Sequence, residues 1–146
     1  MSTALLRPAQ PTDAGRVGAI LSAFIDDTTW MPRIHTRAED VSFAGHMVDQ
    51  GWVSVACIEE RVEGFIARDA AMIHALYLDV GIQRRGVGSQ LLNAAKAAHP
   101  SLTLWTFQAN TGAQAFYLAN DFREIARSDG AGNDEGLPDI QYGWVR

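Results

Sequence analysis

The chain lacks the residues that staple or metallate a small protein. Its single cysteine, Cys57, leaves no partner for a disulfide and no basis for a cysteine metal cluster. Its four histidines, His35, His46, His74 and His99, are scattered without the HExxH or HxxxH spacing that puts two ligands on one helix face, so no metal is expected. Positive charge is also scarce. Lysine and arginine number 12 against 17 aspartates and glutamates, a formal net charge of −5. That balance excludes a nucleic-acid surface spread over the whole protein, although a local anion site remains open. There is no long apolar run, and the opening MSTALLRPAQP has no basic segment leading into one. Neither a membrane span nor a signal peptide is expected, and the chain reads as cytoplasmic.

What is present fits one globular domain over residues 1–146, with 47% hydrophobic and 20% charged residues. A chain of this length can build a core without staples. Ala4 to Arg7 reads as a strand stopped by Pro8. Thr12 or Asp13 can cap a helix whose Val17, Ile20, Leu21, Phe24 and Ile25 recur at helical spacing. Thr36-Arg37-Ala38-Glu39 fits a capping box for a second helix to about Gln50. Strands follow at Trp52–Ile58, Val62–Arg68 and Met72–Val80. A helix with Val87, Leu91, Ala95 and Ala98 on one side runs to about Ala98, where Pro100 stops it. Ser101–Phe107 is a strand. Thr111 can cap a short helix carrying Ala115, Phe116 and Leu118, with Asn120 as a left-handed end. Phe122–Arg127 and Asp139–Val145 are the last strands. The order βααβββαβαββ implies a mixed sheet with helices packed on it.

Between the third of those internal strands and the next helix lies Gln83-Arg84-Arg85-Gly86-Val87-Gly88-Ser89. A helix start leaves backbone N–H groups without partners, and the helix dipole favours an anion there. Gly86 and Gly88 admit close backbone approach, and Arg84 and Arg85 add charge suited to phosphate. A phosphate ligand is the physical reading; a solvated turn is the alternative. The stretch has no lysine after its glycines, as a P-loop requires, and no third glycine, as a dinucleotide fingerprint requires.

The segment Gln83-Arg84-Arg85-Gly86-Val87-Gly88 matches in full the Gln/Arg-x-x-Gly-x-Gly/Ala signature of the GNAT superfamily of acetyl-CoA-dependent N-acetyltransferases. The preceding Leu76-Tyr77-Leu78-Asp79-Val80 resembles that family's fourth strand. Asn110, Phe116-Tyr117 and Phe122 resemble its second motif, and the element order is similar over nearly the whole chain. Arg84 stands where a glycine is common and Val80 where a proline is common; neither is a signature position. The resemblance implies an α/β (α+β) fold with a mixed, mostly antiparallel central sheet, splayed fourth and fifth strands, and about four flanking helices.

It also implies acetyl-CoA as co-substrate. The loop Arg84 to Ser89 would hold the pyrophosphate, with Gln83 opening the motif. The pantetheine arm would pair with backbone at Leu76, Tyr77 and Leu78, one of whose N–H groups would face the acetyl oxygen. Asn110 would contact the arm. Tyr117 matches the family's general acid, a phenol able to protonate a leaving thiolate; as an alternative it is a core tyrosine. The base is left open. Trp105 and Met72 occupy positions where relatives that acetylate protein N-termini or histones carry a glutamate. His74 is the nearest titratable group, and a histidine bonded within the sheet or a relay of waters are the other readings. Trp30, Arg33 and His35 lie in the loop where the family often builds its acceptor pocket, and they can equally be an ordinary packed loop. The implied partner is an amine on a small molecule or peptide, with neither nucleic acid nor a membrane. Dimers are frequent in the family, which admits a homodimer here. A non-catalytic acetyl-CoA-binding regulatory module of the same fold is the alternative to an enzyme.

Overall fold

A computed structural model describes residues 4–82 and 86–146. Seven strands form one sheet: β1 (Leu5–Pro8), β2 (Val53–Ile58), β3 (Arg61–Asp69), β4 (Met72–Leu78), β5 (Ser101–Phe107), β6 (Arg123–Ser128) and β7 (Asp139–Val145). Their spatial order is β1-β2-β3-β4-β5-β7-β6. β1 to β4 pair antiparallel in sequence, β5 lies parallel to β4, and β5, β7 and β6 are antiparallel again. Four helices cover the sheet: α1 (Ala14–Asp27), α2 (Arg37–Asp49), α3 (Val87–Ala98) and α4 (Thr111–Ala119). The mixed, mostly antiparallel sheet and the element order expected from the sequence are both present.

The alternation of each strand splits the core in two. One face carries Val55, Phe65 and Ala67 against Val17 and Ile20 of α1 and Met47 of α2. The other carries Ile66, Leu102, Leu104 and Ile140 against Leu91 and Leu92 of α3 and Tyr117 of α4. α2 starts at the expected capping box, with Glu39 N–H donating to Thr36 Oγ1 at 3.1 Å and Thr36 N–H to Glu39 Oε1 at 2.9 Å.

Several boundaries move for identifiable reasons. Pro8 ends β1 from inside the strand, opposite Ser54. β4 stops at Leu78 because Asp79 turns the chain: Ile82 N–H donates to Asp79 O at 2.9 Å and Gly81 N–H to Asp79 Oδ1 at 3.2 Å. Asn110, not Thr111, caps α4, its Oδ1 accepting from Ala113 N–H at 3.0 Å. The left-handed residue after α4 is Asp121 (φ 70°), while Asn120 keeps a negative φ. α4 also turns a different face inward: Tyr117 is buried and Ala113 and Phe116 pack beside it, leaving Ala115 and Leu118 exposed. In α3, Leu92 takes the buried place expected of Ala98.

Candidate active site

The sheet opens between β4 and β5. Among the described residues their pairing is confined to Met72 opposite Thr103, beside a hydrogen bond from Thr103 N–H to Ala71 O at 2.8 Å. Beyond that point the strands diverge. A bulge accompanies the divergence: Ala75 faces Ala67 and Ile73 faces Arg68, so His74 is an extra residue on β4. The gap holds a cleft of about 790 Å³ bounded by Phe24, Leu76, Tyr77, Leu78, Asn110 and Tyr117, reaching Gly86, Gly88 and Ser89. A smaller extension of about 70 Å³ runs between Ile73–Tyr77 and Leu104–Phe107. The β5-facing edge of β4 at Leu76–Leu78 has no strand partner among the described residues, so its free backbone groups border the cleft.

At one end of the cleft α3 begins. Gly86 takes φ 79°, a left-handed conformation, and among the described residues no side chain caps the helix start. The first helical bond here is Gln90 N–H to Gly86 O at 3.0 Å, which leaves the N–H groups of Val87, Gly88 and Ser89 directed beyond the helix. The side chain of Val87 points away, into the core. Gly88 serves packing as well as approach: a Cβ there would sit 3.2 Å from the Phe116 ring. Gln83, Arg84 and Arg85, the basic part of the motif, lie outside the described residues. The turn before them is tied down by Arg16, which reaches Asp79 at 2.8 Å and Val62 O at 2.8 Å. The Arg16 hydrogen bond holds the Asp79 carboxyl below its usual range.

Tyr117 stands in the middle of the cleft, 7% exposed. Its ring packs 5.2 Å from Phe116, 5.6 Å from Phe122 and 6.2 Å from Tyr142. Among the described residues nothing hydrogen-bonds its hydroxyl. Burial pushes its pKa well above the ordinary phenol value, and Tyr77 adds to the shift. Tyr77, expected to contribute backbone, contributes its side chain as well. The ring lies 4.8 Å from Phe24, and burial, then the charge of Glu135, push the phenol up to about 12. Asn110 borders the cleft with its Oδ1 committed to α4.

The far side of the cleft holds the remaining candidates. His74 is exposed and makes no hydrogen bond within the sheet among the described residues; it stacks on Trp52 at 4.7 Å. Trp30 bridges α1 and β5, its ring 6.5 Å from Phe24 and 5.7 Å from Phe107. Arg33 is consumed by structure. It donates to Asp26 and Asp40 at 2.9 Å each, to Ser22 Oγ at 2.7 Å, and to the carbonyls of Ser22 and His35 at 3.0 Å each. The geometry therefore makes it a clasp between α1 and α2. His35 is exposed at the loop rim, 3.6 Å from Glu39 and 3.9 Å from Asp134. Trp105, 44% exposed, lines the smaller extension. Phe24 is the cleft residue that the sequence does not assign to the site, because its helical spacing places it in a buried stripe of α1. No group of three or more His, Cys, Asp or Glu among the described residues could hold a metal ion. No helix among them is long and apolar enough to cross a membrane.

Comparison with known proteins adds an independent line. A family model described as an acetyltransferase (GNAT) domain matches residues 38–124. A probable N-acetyltransferase of Mycobacterium tuberculosis is 43% identical over 62 residues, 41% of this chain and 36% of that protein. The peptidyl-lysine N-acetyltransferase YjaB of Salmonella typhimurium is 32% identical over 78 residues, 53% of each chain. The matches thus span about a third to a half of the curated relatives' lengths. Among solved structures, apo YjaB from Escherichia coli superposes with a TM-score of 0.82 at 22% identity, covering 98% of both chains. YncA from Salmonella typhimurium, solved with its cofactor acetyl-CoA, gives a TM-score of 0.73 at 16% identity, covering 99% of this chain and 94% of that one.

Proposed function

Because the chain belongs to the GNAT acetyltransferase family, whose model spans well over half of it, we propose that it transfers an acetyl group from acetyl-CoA directly to a primary amine of a small molecule or peptide. The observation that carries this reading is one continuous cleft that joins a helix start, uncapped among the described residues, to the unpartnered hydroxyl of a largely buried tyrosine. The N–H groups of Val87, Gly88 and Ser89 suit a pyrophosphate. The unpaired edge of β4 at Leu76–Leu78 suits an extended amide-bearing arm laid along it as an added strand. Gln83, Arg84 and Arg85 would add their part from the preceding turn.

Acetyl-CoA supplies the activated acetyl group; the chain supplies position and protons. A backbone N–H of β4 stabilises the oxyanion. Tyr117 holds its proton throughout the neutral range and donates it to the departing sulfur. The dry surroundings that make this phenol a weaker acid also make a thiolate released beside it a stronger base. A lysine side chain belongs to the acceptor class, as the name of the Salmonella relative suggests. A module that binds acetyl-CoA without turnover has no use for a hydroxyl without a partner in the cleft. The proposed setting is the cytoplasm, a compartment that holds acetyl-CoA.

Two measurements test the proposal together. Calorimetry should show that acetyl-CoA binds while NAD and ATP bind far more weakly. Free thiol should then be released from acetyl-CoA only when an amine from a broad panel is added. Binding without amine-dependent release across the panel would favour the regulatory module, and no binding would remove the family's usual chemistry.

A further inference from the structure

Lys96, the only lysine of the chain, lies in the last turn of α3 and reaches across to the end of α4. Its Nζ donates to Asn120 O at 2.5 Å and stands over two rings, 5.7 Å from the centroid of Phe122 and 5.2 Å from that of Trp144. Asn120 is the last residue before the left-handed Asp121, so its carbonyl belongs to the negative end of the α4 dipole. A helix C-terminus and two aromatic faces all favour positive charge at this point.

Tyr117 is the residue that this anchor serves. Of the described residues of α4, it alone is buried, so a helix of 9 residues depends on one side chain and on how its ends are held. The first end is tied by the Asn110 cap and by Gln114 Nε2, which donates to Gln108 O at 2.7 Å. The second end is tied through Lys96. Asn120 Nδ2 donates to Phe116 O at 2.8 Å, and Phe122 N–H donates to Tyr117 O at 3.0 Å. Phe122 is 1% exposed, and its ring meets both the Lys96 ammonium and, at 5.6 Å, the ring of Tyr117. One helix therefore carries both fixed points of the cleft. The first turn of α3 bears the outward N–H groups of Val87, Gly88 and Ser89, and its last turn holds the chain that follows Tyr117.

We propose that Lys96 is a positioning residue, whose ammonium fastens the end of α4 to α3 and so fixes where the Tyr117 hydroxyl stands relative to the anion site. This deepens the acetyltransferase reading and rests on it. Lys96 is not among the residues that line the cleft; it acts through Phe122 and the turn at Asn120. Removing its charge releases Asn120 O and the Phe122 ring together, and the last turn of α4 gains freedom. A proton donor displaced by about 1 Å from the departing sulfur loses much of its effect.

The test starts from Lys96→Met, which keeps most of the side chain and removes the charge. With Nα-acetyl-lysinamide as acceptor and acetyl-CoA saturating, this variant should lose about tenfold in kcat. Acetyl-CoA affinity and the acceptor KM should change by less than about threefold. Lys96→Arg, which keeps the charge, should retain the larger part of kcat. In a Tyr117→Phe background, Lys96→Met should lower kcat by less than about threefold, because the group it positions is gone. With isotope-labelled tyrosine and no acceptor present, the Tyr117 ring signals should move in Lys96→Met and stay in place in Lys96→Arg. Unmoved Tyr117 signals in Lys96→Met, equal kcat losses in both backgrounds, or equal losses in Lys96→Met and Lys96→Arg would overturn the proposal. A loss of acetyl-CoA affinity as large as the loss of kcat would overturn it as well, since Lys96 would then support the whole fold and not Tyr117. Failure of the wild type to bind acetyl-CoA would instead strike the acetyltransferase reading beneath it.

Discussion

Replacing Tyr117 with phenylalanine removes one oxygen and leaves the ring. The ring keeps its neighbours Phe116, Phe122 and Tyr142. The lost hydroxyl has no protein partner among the described residues, so folding stability should change by less than about 1 kcal/mol. Acetyl-CoA affinity should hold for the same reason. Turnover should not: losing a general acid costs about 10²–10⁴-fold, which is about 2.7–5.4 kcal/mol of barrier. The pH dependence follows from the direction of the shift. The acid works in its protonated form, and burial raises the pKa above the ordinary phenol value. The protonated form therefore persists to more alkaline pH, and Tyr117 should impose no loss of kcat below about pH 10. The assay is thiol release under saturating acetyl-CoA and amine, over the full pH range, in conditions where chemistry limits the rate. A folded variant with wild-type kcat would remove Tyr117 from the chemistry. An alkaline limb near neutrality that vanished in the variant would refute the raised pKa. A change confined to KM would assign the residue to binding.

Gly86→Val should weaken acetyl-CoA binding by at least about tenfold, since a side chain at φ 79° costs about 1–2 kcal/mol and its bulk would project where a phosphate must approach; a folded variant with unchanged affinity in calorimetry would contradict the anion site. Asp79→Asn should lower stability by roughly 1 kcal/mol by loosening the turn held by Arg16. Because the folded pKa of Asp79 is depressed, that contribution is present above the unfolded pKa near 4 and disappears as pH falls through the folded value. Urea unfolding of both proteins should therefore converge in acid, and a constant gap across pH would refute this. Arg33→Ala should lower the urea midpoint, because it leaves the buried Asp40 without its partner; wild-type stability with a raised amine KM would return Arg33 to the acceptor site.

What could be read from the sequence depended on how local the cause was. β5 and β7 have the bounds expected, Ser101–Phe107 and Asp139–Val145, because alternation and flanking turns are written in neighbouring residues. The glycine turn and the helix after it were legible for the same reason. The bulge at His74 was not, since it is a mismatch of register against β3. Gly88 is needed partly for Phe116, which only folding brings beside it. Arg33 resembles a free cation until α1, α2 and the loop between them surround it with five acceptors. The Tyr77 side chain was overlooked because the family resemblance drew attention to the backbone of its strand.

The claim that the split between β4 and β5 is the acetyl-CoA site can be tested by titrating acetyl-CoA into isotope-labelled protein and following each backbone amide. The account predicts saturable shifts concentrated at Leu76, Tyr77 and Leu78 and at Gly86, Val87, Gly88 and Ser89, with slowed hydrogen exchange along the same edge of β4. Saturable shifts confined to α2 or to the β1 edge, with these seven amides unmoved, would contradict it.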